Sequence, residues 1–205
     1  MRKTKPDPLY CTGAHKSGTH LLLKALHLFG GDCLQAIHCH KGYDFPWKTT
    51  ADTRVHIIRN PRNVLISWVR YQKLSRNNQT IIANMNYIIK CMLGHFGWIG
   101  EERCLTVRFE ELLTDPNVIK KIGEYLNKPL IENHFESLWG DTFTFTNDLT
   151  EWRDFWTDEV NTAWIAKGGV EIENKMCYFN TPKKISGYQS PGSYQYNNNL
   201  SNCPC

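Results

Sequence analysis

Pro8-Leu-Tyr-Cys-Thr-Gly13, continuing as Ala14-His-Lys-Ser-Gly-Thr-His20 and then Leu21, Leu22, Leu23, Ala25, Leu26 and Phe29, is the stretch that decides the fold. A short apolar run ending at a glycine reads as a strand, and the leucine-rich segment after it has the spacing of a helix. Between them lies a loop suited to a phosphate. Gly13 and Gly18 let backbone N–H groups converge, Lys16 adds a charge, Ser17 and Thr19 add hydroxyls, and a helix N-terminus adds partial positive charge. A kinase or NTPase loop reads G-x-x-x-x-G-K-[ST]; the two glycines keep that spacing, but residue 19 is Thr and the lysine stands two places before the second glycine. Lys16 therefore approaches an anion from within the loop, not from the start of the helix.

Working outward, Gly30-Gly31 closes the helix, Leu34 to Cys39 reads as a second strand and Thr53-Arg-Val-His-Ile-Ile58 as a third. Asn60-Pro61 breaks the third strand, and Val64, Leu65, Trp68 and Tyr71 then recur at helical spacing. A second helical pattern runs through Ile81, Ile82, Met85, Ile88, Ile89 and Met92. Cys104-Leu-Thr-Val-Arg108 is a fourth strand, Asp115-Pro116 opens a helix carrying Val118, Ile119, Ile122, Tyr125 and Leu126, and a further helix begins near Thr157-Asp158-Glu159. Strands alternating with helices predict an α/β fold, a parallel β-sheet flanked by helices on both faces. Residues 1–185 are expected to form one domain. Residues 186–205, polar and turn-forming, carry too little apolar content for a core and are expected to be a tail.

The 205 residues suit a single domain, and 41% hydrophobic with 21% charged residues exclude a wholly disordered chain, a collagen or a coiled coil. Lys and Arg exceed Asp and Glu by 24 − 20 = +4, which suits anionic ligands and falls short of a dedicated nucleic-acid binder. The apolar runs Leu21 to Leu28 and Val64 to Val69 are short and interrupted by Lys24, His27 and Ser67, so no membrane span is expected. The basic start Met1-Arg-Lys-Thr-Lys5 leads into Pro6, Asp7 and Pro8 instead of an apolar segment, which argues against secretion. Eight cysteines are scattered along the chain, several of them (Cys11, Cys39, Cys104) in strand-like segments as buried thiols are, which reads as a reducing compartment and a cytoplasmic protein.

Three motifs in order resemble those of the cytosolic-type sulfotransferases, the P-loop family that uses 3′-phosphoadenosine 5′-phosphosulfate (PAPS). His15-Lys-Ser-Gly-Thr-His20 is similar to P-K-S-G-T-T-W, which binds the 5′-phosphosulfate in that family. Arg59-Asn-Pro-Arg-Asn-Val-Leu-Ile-Ser67 is similar to R-[DN]-P-[RK]-[DN]-V-x-x-S, whose arginine and serine hold the 3′-phosphate. Leu105-Thr-Val-Arg-Phe-Glu-Glu-Leu112 resembles the strand ending in [FY]-E-[DE]-[LM], which implies that Phe109 lies near the adenine. Trp152-Arg153 with Thr157 weakly resembles W-[KR]-x-x-[FL]-T, so the likeness runs from about Pro8 to Thr157. It implies a P-loop sulfotransferase fold and transfer of a sulfuryl group from PAPS to an acceptor hydroxyl or amine, leaving 3′,5′-bisphosphoadenosine (PAP), with no metal. The implied nucleotide ligands are His15, Lys16, Ser17, Gly18, Thr19, His20, Arg59, Ser67 and Phe109.

Two departures stand out. His20 replaces the tryptophan that usually stacks on adenine, and the R-K-G triplet expected before Trp152 is absent, with Phe145-Thr-Asn147 near its place. Arg153 is the expected substitute. For catalysis, Lys16 is expected to stabilise the leaving phosphate, and the family's K-T-H-x-P at the end of the second strand is represented by His38-Cys-His40-Lys41. His40 matches the base by position, and an imidazole accepts a proton near neutrality. His38, two residues earlier on the same strand face, is the reserve candidate; in relatives acting on carbohydrates a glutamate serves instead.

Plainer readings compete. Arg59 could pair with a surface acid, Ser67 could be a surface hydroxyl, Phe109 could be core, and Arg108, Glu110 and Glu111 read best as a structural ion-pair or cap cluster. The alternative functions are a P-loop nucleotide kinase and a nucleotide-binding module without transferase activity. The acceptor is expected to be a small molecule or carbohydrate, in a pocket shaped by Tyr43 to Asp52 and Asn77 to Gly100; the sequence leaves its identity and the oligomeric state open.

Overall fold

The computed structural model describes residues 9–29, 36–40, 42–43, 53–130 and 149–178, with the side chains of residues 36–39 outside that description. The segment read as a tail, 186–205, lies outside the described residues, as do most of the expected acceptor loop at 44–52 and the Phe145–Asn147 stretch. The strands are β1 (Leu9–Gly13), β2 (Ala36–Cys39), β3 (Thr53–Ile58) and β4 (Cys104–Arg108). They form one parallel sheet in the order β2-β1-β3-β4, with Gly13 at the end of β1 in register with Ile57 of β3. From β1 the chain passes to one side for β2 and then returns to the other side for β3 and β4. The direction of winding reverses between β1 and β3, and in open α/β sheets the crevice outside the strand C-termini at such a reversal is where ligands bind.

Helix α1 (Thr19–His27) follows β1 directly. The two consecutive helices expected after β3 are α2 (Pro61–Tyr71) and α3 (Asn78–Leu93). Asn60 caps α2 by accepting from the Arg62 N–H at 3.0 Å, with Pro61 in the first turn, where its missing N–H is no loss. The same logic opens α5 (Pro116–Leu126), capped by Asp115, and α6 (Asp158–Ala166), capped by Thr157. Helices α4 (Phe109–Thr114) and α7 (Gly169–Lys175) were not expected.

Alternation along the strands sends Leu9, Cys11, Val55, Ile57 and Val107 to one face, where they meet Leu22, Leu26, Phe29, Leu112, Ile119 and Ile122 from α1, α4 and α5. Beyond the other face α2, α3, α6 and α7 share a second core that includes Ile58, Leu65, Val69, Ile81, Met85, Trp152, Trp156 and Trp164. Helices thus cover both faces, as expected. Arg62 donates from Nε and Nη2 to the two carboxylate oxygens of Glu173, a buried pair that ties α2 to α7. Glu110 accepts from the Asn60 backbone N–H at 3.0 Å and from the Tyr178 hydroxyl at 2.6 Å, while Arg108 donates to the carbonyls of Met176 and Cys177. The Arg108–Glu110–Glu111 cluster is therefore structural, as read. Cys11 and Cys104 are buried thiols outside any disulfide, whereas Cys177 is disulfide-bonded, against the expectation of a reducing compartment.

Candidate functional site

The loop between β1 and α1 is held open by backbone conformations that few residues adopt. Lys16 has φ +65° and Gly18 φ +103°. A Cβ on Gly18 would lie 2.3 Å from Cδ2 of Phe109, so only glycine allows the loop to rest on that ring. Ser17 folds back on the turn, donating from its N–H and its Oγ to the Ala14 carbonyl at 3.2 and 2.7 Å. Gly18, at the cap position of α1, has no side chain to accept from the first N–H groups of that helix, whose partial positive charge faces the loop.

Beside this loop stands a group of cations. Arg59, at the end of β3, is 5% exposed; its Nη1 donates to the Lys16 carbonyl at 3.2 Å and its guanidinium lies 4.2 Å from the Phe109 ring centroid. Its Nε is buried without a hydrogen-bond partner. Ser67, two turns into α2 and 1% exposed, likewise has a buried Oγ with no partner. Arg59 is therefore not paired through a hydrogen bond to a surface acid, and Ser67 is not a surface hydroxyl. Burying such groups unsatisfied is unfavourable, and native proteins tolerate it where a ligand completes them. Lys16 projects its Nζ to 4.4 Å from the Tyr71 ring centroid. Burial, and then the charges of Arg59 and Arg70, lower its pKa to about 8.

His40 follows β2 and lies on the other side of the loop. Its Nδ1 is 2.8 Å from the Gly13 carbonyl, which can only accept, so Nδ1 carries the hydrogen and Nε2 is the basic nitrogen. Burial is the main cause that holds its pKa below the usual histidine range, with His20 and Lys16 adding to the effect against the hydrogen bond to Gly13. The ring is therefore neutral at pH 7. Its centroid is 4.3 Å from that of His15, which in turn neighbours Trp68 at 5.7 Å and Tyr87 at 6.4 Å. Trp68 also meets Tyr87 at 4.8 Å and Tyr71 at 6.0 Å, so α2 and α3 present an aromatic wall beside His40 and Lys16. Tyr71 and Tyr87 are 52% and 46% exposed. Behind His40 a second pair of imidazoles, His56 and His95, stack at 5.5 Å, with His56 Nδ1 2.9 Å from Thr12 Oγ1.

The structure thus brings His15, Lys16, Ser17, Gly18, Thr19, Arg59, Phe109 and His40 to the C-terminal edge of β1 and β3, with Ser67 in the second turn of the helix that follows Arg59, and the exposed His20 is near enough to His40 to affect its titration. The His38 side chain lies outside the described residues. Arg153 is on the 3-10 turn Glu151–Phe155, with its guanidinium 5.6 Å from the Trp152 ring. From that turn Glu151 reaches the cation group, through Arg70. Sequence reasoning missed Arg70, although its place three residues after Ser67 on α2 puts the two on one helix face. It also took Trp68 and Tyr71 only as a helical repeat, while their partner Tyr87 belongs to a different helix. Among the described residues no three His, Cys, Asp or Glu side chains gather as a metal site, and no helix is long and apolar enough to cross a membrane. A cavity of about 570 Å³ lined by Leu28, Phe29 and α5 lies beyond the C-terminal end of α1, away from the loop.

No family model matches the chain, and neither does any curated protein sequence. Among solved structures it is similar to mouse sulfotransferase SULT7A1 in complex with PAP, at 14% identity and a TM-score of 0.69, over 85% of this chain and 88% of that one. The chain has the sulfotransferase fold.

Proposed function

We propose that the protein is a sulfotransferase that moves a sulfuryl group from PAPS to a hydroxyl or amine of a small-molecule or carbohydrate acceptor. The observation that carries this reading is the pair Arg59 and Ser67, both buried, both with an unpartnered polar atom, set beside a lysine-bearing phosphate loop. One anion at the loop and a second at Arg59 and Ser67 is the demand of a nucleotide phosphorylated at both ends. The solved relative was crystallised with PAP, which agrees with that demand.

PAPS, when bound, supplies an electrophilic sulfuryl group on its 5′-phosphate. The loop N–H groups, Thr19 and Lys16 stabilise the negative charge that grows on the phosphate oxygen as transfer proceeds, with Ser17 holding the turn through the Ala14 carbonyl, and fixed donors do this without reorganising. Arg59 and Ser67 hold the 3′-phosphate, and Phe109 seats both the loop and the arginine. His40 takes the acceptor's proton at Nε2 while its Nδ1–H stays bonded to the Gly13 carbonyl, which fixes the ring's tautomer and direction. The wall of Trp68, Tyr71 and Tyr87 is the surface against which the acceptor lies, because aromatic faces bind flat apolar groups while leaving a polar end to react.

Transfer of radiolabelled sulfate from PAPS to a panel of phenolic and carbohydrate acceptors tests the reading. Lys16→Ala is expected to lower kcat by about 10²–10³-fold, and His40→Ala to lower kcat with PAP affinity retained. Tight PAP binding without transfer to any acceptor would instead indicate a binding module, and metal-dependent phosphoryl transfer from ATP a kinase.

A further inference from the structure

We infer that Arg70 is a third ligand of the nucleotide's 3′-phosphate and that Glu151 is the residue that positions it. The inference rests on the sulfotransferase reading above and supplies a cation where the R-K-G triplet is missing. Ser67 and Arg70 are three residues apart on α2 and so share a face, with about 4.5 Å of rise between them. Arg70 contacts Glu151 in an unusual way. Arginine–carboxylate pairs are frequently bidentate, two nitrogens to two oxygens. Here Nη1 alone donates to both Glu151 oxygens, each at 2.7 Å, and Nη2 is left buried without a hydrogen-bond partner. Arg76 holds the same carboxylate from another side, its Nη1 3.1 Å from Oε1, so Glu151 is a fixed post and the direction of Arg70 follows from it.

Arg70 Nη2, Arg59 Nε and Ser67 Oγ are three buried donors without a hydrogen-bond acceptor. Three such donors, two of them on cations, suit the terminal oxygens of a phosphate monoester. The charge balance agrees. Arg70 acts electrostatically on both Lys16 and Arg59, opposing their charged forms, so the three cations share one neighbourhood. Of the carboxylates that act on Arg59 among the described residues, Glu151 is divided between Arg70 and Arg76, and Glu110 is engaged by the Asn60 N–H and the Tyr178 hydroxyl. A dianion is what such a group lacks. In this arrangement Arg70 and Glu151, from segments far apart in the chain, also link nucleotide binding to the seating of the Glu151–Phe155 turn on α2.

Isothermal titration of PAP and of 5′-AMP, which lacks the 3′-phosphate, into wild type, Arg70→Ala, Arg70→Lys and Arg59→Ala tests this. Arg70→Ala is expected to weaken PAP by about ten- to a hundredfold, the range for losing a hydrogen bond to a charged group, and to leave AMP unchanged. The ratio of the two affinities therefore falls, which a merely structural tie would not cause. Arg70→Lys is expected to lie between, because an ammonium keeps the charge and lacks the fork that reaches two partners; it also carries the test if the alanine variant does not fold. A PAP-to-AMP ratio unchanged in both Arg70 variants but collapsed in Arg59→Ala would overturn the role of Arg70 and leave the sulfotransferase reading standing. A wild type that does not prefer PAP to AMP would overturn both.

Discussion

Ser67→Ala should make the ligand-free protein more stable and the nucleotide complex weaker. The serine is 1% exposed and its Oγ has no hydrogen-bond partner. A buried unsatisfied hydroxyl is unfavourable by about 1–3 kcal/mol, and the exchange of Ser for Ala within a helix adds up to about 0.5 kcal/mol in the same direction. The lost oxygen leaves a small void, which offsets part of that gain. A net stabilisation of about 1 kcal/mol raises the unfolding midpoint by about 2–4 °C in a chain of this size. In the complex the sign reverses. A hydrogen bond to a charged phosphate is worth about 1.5–3 kcal/mol, so PAP should bind about ten- to a hundredfold more weakly. Thermal unfolding of wild type and variant, each with and without PAP, reads both effects in one experiment: the variant begins higher and gains less. A variant that melts below wild type without ligand would mean that the hydroxyl has a structural bond, and an undiminished PAP shift would mean that it is no ligand; either result refutes the reasoning.

Other outcomes follow from the loop and its histidines. Gly18→Ala places a Cβ 2.3 Å from the Phe109 ring at φ +103°, and should destabilise the fold by at least about 2 kcal/mol in urea unfolding through overpacking and backbone strain together. His95 is buried, its pKa lowered to about 4 chiefly by desolvation, and His56 is shifted the same way. Their stabilising effect is complete above the ordinary histidine pKa near 6.5 and is lost as pH falls from there towards the folded values, because the unfolded chain takes up protons that the native state refuses. His95 alone predicts a loss of about 2 kcal/mol between pH 7 and pH 5, and His95→Gln should reduce that dependence in urea unfolding measured at the two pH values. The pH profile of kcat/KM should be bell-shaped, with an alkaline limb near pH 8 as Lys16 loses its proton and an acidic limb below the usual histidine pKa as His40 gains one.

What the sequence discloses is mostly local. The β1–loop–α1 unit is legible because Gly13, Gly18, Lys16 and the leucine repeat fall within about two dozen residues, and the Asn60, Asp115 and Thr157 caps are legible because each bonds within three residues of itself. Arg59 and Ser67 are legible through their spacing, but that both end buried with polar atoms unpartnered is a property of tertiary packing. The Arg70–Glu151 contact joins residues 81 apart, His56 and His95 meet from a strand and a loop, and Tyr87 reaches Trp68 from the next helix. No period or motif marks such pairs. Arg153 follows the place of the absent triplet in the chain, whereas Arg70, the further cation that acts on Lys16 and Arg59, belongs to α2, earlier in the sequence and close only in space. Helix α7, seven residues long, is too short for an apolar repeat to mark it; Gly168 at φ +82° turns the chain into this helix, which brings Glu173 to Arg62.

The most direct test of the account is the shift in unfolding midpoint caused by PAP, compared with AMP and with ATP plus Mg²⁺, in wild type and in Arg59→Ala. A ligand at about 100 times its Kd stabilises by about 2.7 kcal/mol, or several degrees in a domain of this size. The account predicts a shift specific to the bisphosphate and lost in Arg59→Ala. No shift with PAP, or a larger one with ATP and Mg²⁺, would contradict it.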